Sequence, residues 1–305
     1  MTVPAARMAA QRLSRPAEDL ASLLADVVAL QAQDVPALRL AARARGVREL
    51  TGPVVRTWAM RGTLHLLAVE DLWVVALLGP VFRAAGRRRR AQLGLADELC
   101  ARALPALREV LTGPLDRAAV VARLAEVGVV VDASTQAPAH LMAYAAFSGV
   151  LSRGLDDTYA LLPDLPEPRG VDELWRRYRR AYGPATPDDF VAWSGLPKRT
   201  ARDLPDLAAE DFPPDGTVRM LGHFDPFLLG YRDRSALLDP AFAKRVQTGG
   251  GFLTPHVLVD GRVVATWRRD GRVFRVEPFG ARPDVSGEVS DLGVFLGLDA
   301  DLTWV

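Results

Sequence analysis

Cysteine occurs once in the chain, at position 100, which excludes a disulfide framework and a cysteine zinc site. The histidines are His65, His140, His223 and His256; none stands at His-x₃-His spacing, so the sequence carries no metal motif. Lysine is nearly absent as well. Lys198 and Lys244 stand alone among 38 basic residues, and the others are arginines. No apolar run of about 18 residues occurs, so no membrane helix is expected. The opening stretch MTVPAARMAAQRLSRP has no apolar h-region, and a cytoplasmic protein is the expectation. A net charge of +1 gives no general affinity for nucleic acid; any such contact must come from local clusters. Gly249-Gly250-Gly251 lacks the lysine and helix start of a phosphate loop and reads as a turn. No Gly-x-Ser-x-Gly elbow is present either.

What the chain does have is enough apolar residue, 49% of 305 positions, for two or three packed units. Residues 1–90 read as a first unit. A helix is expected over Met8–Leu13, a second over Asp19–Leu30 and a third over Val35–Arg45, closed by Gly46. Leu64 and Leu66 alternate with Thr63 and His65 as in a half-buried strand. Glu70-Asp71 opens a helix that Gly79-Pro80 is expected to stop. Helices followed by a short sheet describe a winged-helix unit. Arg87–Arg90 is either a solvated helix face or linker, or a phosphate contact.

Residues 97–168 repeat the order. Leu115–Val127 and Ala139–Leu151 read as helices, and Asp157–Leu162 as a strand. In residues 171–210 a helix over Val171–Tyr182 breaks at Gly183-Pro184. Thr186 then caps a short helix with Pro187 at its first position, and another helix starts near Pro197. From 216 to 305 the pattern is mostly strand, with hairpins at Asp260-Gly261 and Asp270-Gly271. The fold class is α+β, mainly α, with tandem winged-helix units and a C-terminal antiparallel β-hairpin region packed on the third unit.

Gln31-Ala32-Gln33-Asp34 interrupts the apolar stripe Leu20, Leu23, Leu24, Val27, Val28. Residues two apart on a helix point about 200° from each other. Two glutamines so spaced meet one target only in extended backbone, where i and i+2 share a face. The bland alternative is a helix end that contains two amides.

Five blocks together resemble the bacterial AlkZ/YcaQ-type winged-helix DNA glycosylases: residues 31–34, 55–66, 182–196, 224–235 and 259–269, in the family's order and spanning nearly the whole chain. The resemblance implies a C-shaped DNA-binding channel and a catalytic motif Gln-Φ-Gln or Gln-Φ-Asp, where Φ is small or apolar. The motif maps onto Gln31, Ala32 and Gln33, with Asp34 one residue too late for the Asp position. The Gln-Gln form resembles the branch that protects antibiotic producers from their own DNA-alkylating products. The implied activity is hydrolysis of the N-glycosidic bond of N7- or N3-alkylated, bulky purines in double-stranded DNA, by a monomer without cofactor or metal. With only two lysines, both outside the motif, a monofunctional enzyme is expected, since a lyase step needs an amine nucleophile. Arg56, Arg61, Arg232 and Arg234 are candidate phosphate or groove contacts. Trp58, Thr63, His65 and Tyr231 join them as candidate DNA-facing residues, although His65 also suits a plain strand position and Trp58 a core one. The competing readings are a non-catalytic winged-helix regulator and a protein that sequesters the free alkylating compound.

Overall fold

The computed structural model describes residues 2–205, 212–249 and 251–305. Among them twelve α-helices alternate with short strands, so the chain is mainly α with small sheets. The end of the 171–210 segment and Gly250 lie outside the described residues. Contacts group the chain into two units, each gathering stretches distant in sequence. The first comprises Met1–Gly52, Trp175–Trp193 and Lys198–Val305; the second comprises Pro53–Leu174 and Ser194–Pro197.

In the first unit the early helices are Val3–Ala10, Leu20–Val27 and Val35–Ala44. The first begins and ends earlier than Met8–Leu13. The second starts where Asp19 and Ser22 exchange side-chain and backbone hydrogen bonds in a capping box. The third ends as expected, with Gly46 at φ 93. A five-stranded sheet runs in the order Asp301–Trp304, Val273–Pro278, Arg262–Asp270, His256–Val259, Val218–Leu221. Its pairs are antiparallel except the first, which is parallel. Asp260 and Gly261 turn the central hairpin at φ 49 and 79, the two positive values of a type I′ turn. Glycine is also required there by space, because a Cβ would fall 2.1 Å from the Pro4 carbonyl oxygen. Met220, Val257, Phe274 and Val276 of the sheet pack on Val289 and Leu292. Those two belong to a helix, Ser286–Leu296, in a region whose sequence reads mostly as strand.

Arginine ties the distant stretches of this unit together. Arg43 reaches Asp291 (2.7 Å), Glu288 (2.9 Å) and the Met220 carbonyl (2.9 Å). Arg45 binds both oxygens of Asp225 at 2.9 Å, with both side chains fully buried. Arg7 donates to the Pro184 carbonyl and lies 3.7 Å over the Tyr231 ring. These three arginines have structural roles. The bidentate Arg45–Asp225 pair, the fork of Arg43 over three acceptors and the stacking of Arg7 on a ring are contacts that lysine does not reproduce.

In the second unit, Val54–Trp58 and Leu64–Ala68 pair antiparallel; the strand that the alternation predicts is present, but Leu64–Leu67 are buried on both faces and not half-buried. The next helix does not stop at Gly79-Pro80; it runs from Trp73 to Gln92. The cause is tertiary. The helix Ala137–Phe147 comes so close at Gly79 that a Cβ would lie 2.1 Å from the Phe147 carbonyl oxygen. Arg83 donates to that same oxygen at 2.6 Å. Packing at the glycine overrides the local breaker. Arg87–Arg90 consequently sits on this helix: Arg87 pairs with Asp97, Arg89 with Gln136, and Arg90 is buried 4.7 Å over Tyr144. Helices Asp97–Val110 and Arg117–Glu126 follow, the latter capped by Asp116. Ala137–Phe147 and the strand pair Leu151–Arg153 and Tyr159–Leu161 complete the segment, with Leu115 bridged to Tyr159. Leu107, Leu124, Leu141 and Met142 form its core. Lys198–Asp203, which belongs to the first unit, is a 3₁₀ turn where a helix is expected from near Pro197.

Candidate active site

The stretch between the second and third helices is set from both ends. Leu23, Leu24, Val27 and Leu30 are fully buried, each contributing roughly 1.5–3 kcal/mol by the area it removes from water. The helix nevertheless ends at Val27. Val28 takes φ 70, ψ −53, and Ala29 N–H donates back to the Val27 carbonyl at 2.8 Å. This is a γ-turn in a conformation that a β-branched residue rarely adopts. It turns the chain out of the helix before Leu30–Gln31, which is strand. At the far end Asp34 has extended backbone, φ −122, ψ 122. Its carboxylate accepts from Ala37 N–H at 2.7 Å, capping the Val35–Ala44 helix.

Gln31 and Gln33 therefore lie off the helices. Gln31 Nε2 donates to Gln33 Oε1 at 3.0 Å. The i, i+2 pair meets directly, which a helix forbids. The two amides are not equivalent: Gln31 is 4% exposed, whereas Gln33 is exposed. One amide thus belongs to the interior and orients the other at the surface. Neither titrates near neutral pH, and together they supply donors and acceptors in a fixed arrangement. Such a pair can hold and orient a water; it cannot act as a general acid.

Asp34 carries the arrangement further. Its Oδ1 lies 3.1 Å from His223 Nε2. The His223 ring is stacked on Phe252, with centroids 5.7 Å apart, and Phe224 meets both rings at 5.2–5.3 Å. Phe224 sits at φ 58, another position that side chains seldom occupy. The next residue, Asp225, is the buried partner of Arg45 and also caps the short helix after it. Sequence reading missed this group. Phe224 fell inside a recognised block, but nothing local linked His223 or Phe252 to Asp34.

Several sequence-predicted contact residues have inward roles. Arg56 is buried and donates to Asp157 and the Gly154 carbonyl, both at 2.7 Å. His65 is buried with Nδ1 2.9 Å from the Thr63 carbonyl. Burial, and then the charge of Arg61, push its imidazole down to about 3, so it is neutral. Trp58 is half-buried against the core of its unit. Thr63 hydrogen-bonds the Met60 carbonyl in the turn that holds Arg61 at φ 56. Tyr231 is buried in an aromatic cluster with Tyr182; its hydroxyl donates to the Tyr182 carbonyl at 3.0 Å, and burial raises its pKa. Arg232 is exposed and paired with Asp188. Arg234 is half-buried and donates to Gln247 at 2.9 Å. Among the described residues no cluster of His, Cys, Asp and Glu suits a metal ion, and no helix is long and apolar enough to cross a membrane.

Known proteins with similar sequence and fold bear on this geometry. The model of the family described as DNA glycosylase AlkZ-like matches residues 24–212 and 198–295. An interstrand DNA cross-link repair glycosylase from Streptomyces sahachiroi is 28% identical, the match covering 74% of this chain and 73% of that protein. The solved structure of the Streptomyces sahachiroi DNA glycosylase AlkZ superposes with a TM-score of 0.80 at 24% identity, covering 100% of this chain and 98% of that one.

Proposed function

The chain belongs to the AlkZ-like DNA glycosylase family, and from that premise we propose that Gln31 and Gln33 catalyse excision of alkylated purines from DNA. The observation that carries this reading is the directly bonded amide pair off the helices, one member buried and the other exposed. A purine alkylated at N7 or N3 bears a positive charge and leaves its sugar readily, so acid catalysis is not needed. As the C1′–N9 bond breaks, its electron pair goes to the base, which departs neutral. A water oxygen bonds to C1′ and gives up its proton to solvent. Gln33 holds that water, and its amide dipole lies near the positive charge that develops on the sugar. Gln31 fixes Gln33. Unmodified bases survive because they are poor leaving groups.

In this reading the enzyme is monofunctional, acts as a cytoplasmic monomer and binds duplex DNA in a channel formed by winged-helix units. Its biological role is DNA repair or self-resistance to an alkylating natural product. The inward positions of Arg56, His65 and Tyr231 shift phosphate contacts toward Arg61, Arg232 and Arg234. The cross-link repair relative brings cross-linked purines into the lesions to be tried beside simple alkylpurines.

The test is incubation of alkylated duplex DNA with the protein, followed by measurement of released base and of strand breaks before and after alkali. Base release with breaks only after alkali is the expected result. Breaks before alkali, or a borohydride-trapped protein–DNA adduct, would refute the monofunctional mechanism. Binding without base release would make the protein a regulator, and binding of the alkylating compound without DNA would make it a sequestering protein.

A further inference from the structure

We propose that His223, Phe224 and Phe252 form a stacking surface for a nucleobase drawn out of the duplex, positioned beside the amide pair by the Asp34–His223 contact. The inference rests on the glycosylase reading above and adds the site that receives a base. The rings are linked to one another at 5.2–5.7 Å. Phe252 is 41% exposed, and it is the one aromatic side chain among the large hydrophobics left exposed in the described residues. Its uncovered ring area, contiguous with the half-buried His223 and Phe224 rings, is open to a flat partner.

The position of the cluster is specified from three sides. His223 meets the same carboxylate oxygen that caps the Val35–Ala44 helix, one residue after Gln33. Adjacent Cα atoms are about 3.8 Å apart, so this contact fixes the rings to the backbone that carries the amide. Phe224 is held at φ 58 between His223 and Asp225, and Asp225 is clamped by the buried Arg45. Unfavourable backbone conformations persist where surrounding structure enforces them, and they concentrate at binding and catalytic sites. Phe252 comes from a different part of the chain, the short hairpin Gln247–Gly249 with Phe252–Leu253.

The occupant is a nucleobase because the surface offers aromatic rings tied to the residue beside the Gln33 amide. Stacking of this kind tolerates any base and any planar adduct. It also agrees with the chemistry of the amides. They select by leaving-group ability, so the receiving surface has no need to read the base. A glycosylase that acts on a base must reach its glycosidic bond, and an aromatic ledge next to the water-holding amide is where the unstacked base would rest.

The experiment compares binding of two duplexes to the full-length protein: one fully paired, one with a single unpaired base. Phe252→Leu keeps an apolar side chain without a ring, and Phe252→Tyr restores the ring. The expected result is a loss of roughly five- to one-hundred-fold in affinity for the unpaired-base duplex with Phe252→Leu, little change for the paired duplex, and recovery with Phe252→Tyr. His223→Ala should lose affinity in the same direction. Equal losses on both duplexes, or none on either, would overturn the proposal. So would a concentration-dependent dimer that dissolves in Phe252→Leu, since the rings would then serve a self-contact. Base excision by the wild-type protein, measured on alkylated DNA in parallel, separates the two claims. Excision with no ring effect removes the stacking surface alone. A ring effect without excision leaves the stacking surface and removes the catalytic reading.

Discussion

Replacing the two glutamines one at a time should separate catalysis from stability, because the structure buries one and exposes the other. Gln33→Ala removes an exposed side chain and with it the acceptor of the buried Gln31 amide, about 1 kcal/mol net, but leaves no gap in the interior. If Gln33 holds the attacking water, the single-turnover excision rate should fall by about 10²-fold, equivalent to roughly 2.7 kcal/mol of transition-state stabilisation. Gln31→Ala should lower the rate to a similar extent and destabilise the fold too. It deletes the 3.0 Å hydrogen bond to Gln33, about 1 kcal/mol net, and leaves a small gap where a side chain with 4% exposure was packed, about another 1–2 kcal/mol. The sum of roughly 2–3 kcal/mol is readable as a drop of several degrees in melting temperature. The double variant is the decisive sample. Two amides serving one water act as a unit, so the double loss should be close to a single loss, not its square. Rates come from base release with enzyme in excess, and stability from thermal unfolding. The reasoning fails if Gln33→Ala stays within about threefold of wild type, or if the two effects multiply.

Two further outcomes follow from buried charge. Asp225→Asn leaves Arg45 buried without its ionised partner and should cost roughly 3–5 kcal/mol, lowering the melting temperature by about 10 °C; pairing it with Arg45→Met should recover much of the loss, and a double variant no better than the single one would contradict the pairing argument. His65 is depressed in the folded protein to about 3 from an ordinary 6.5, so the unfolded chain alone takes up its proton as pH falls below 6.5. Stability is then complete above pH 6.5 and is lost progressively toward pH 3, about 2 kcal/mol of it by pH 5; urea unfolding of His65→Gln at pH 7 and pH 5 should show a pH dependence smaller by that amount, and identical pH dependence in both proteins would refute a neutral buried imidazole.

Local physics made much of the fold legible. Thr186 caps the helix that starts at Pro187 where its sequence position indicates, and Asp260-Gly261 turns a hairpin between alternating strands. These signals work because caps and turns depend on a few consecutive residues. The signals failed where distant chain intervened. Gly79-Pro80 reads as a helix stop, yet the Phe147 carbonyl packs against the glycine and the helix continues. Helix Ser286–Leu296 was hidden because it contains Gly287 and Gly293, and because its buried positions, Val289, Leu292 and Gly293, make a weak stripe.

The candidate site divides in the same way. The sequence by itself determined that Gln31 and Gln33 can meet one target only off a helix, because residues two apart point to opposite sides of a helix. It also supplied the resemblance that ranked this stretch above any other. Tertiary structure decided the rest. The γ-turn at Val28, which apolar periodicity does not announce, ends the helix early enough to leave the amides off it. The difference in burial between the two glutamines depends on neighbours outside the motif. The ring cluster requires Asp34, His223 and Phe252 to converge from separations of about two hundred residues and of about thirty, and no local rule encodes such a meeting. Arg56, a candidate phosphate contact in one dimension, is a buried ion-pair partner in three, because a guanidinium inside a protein is stable only where a carboxylate or carbonyl meets it.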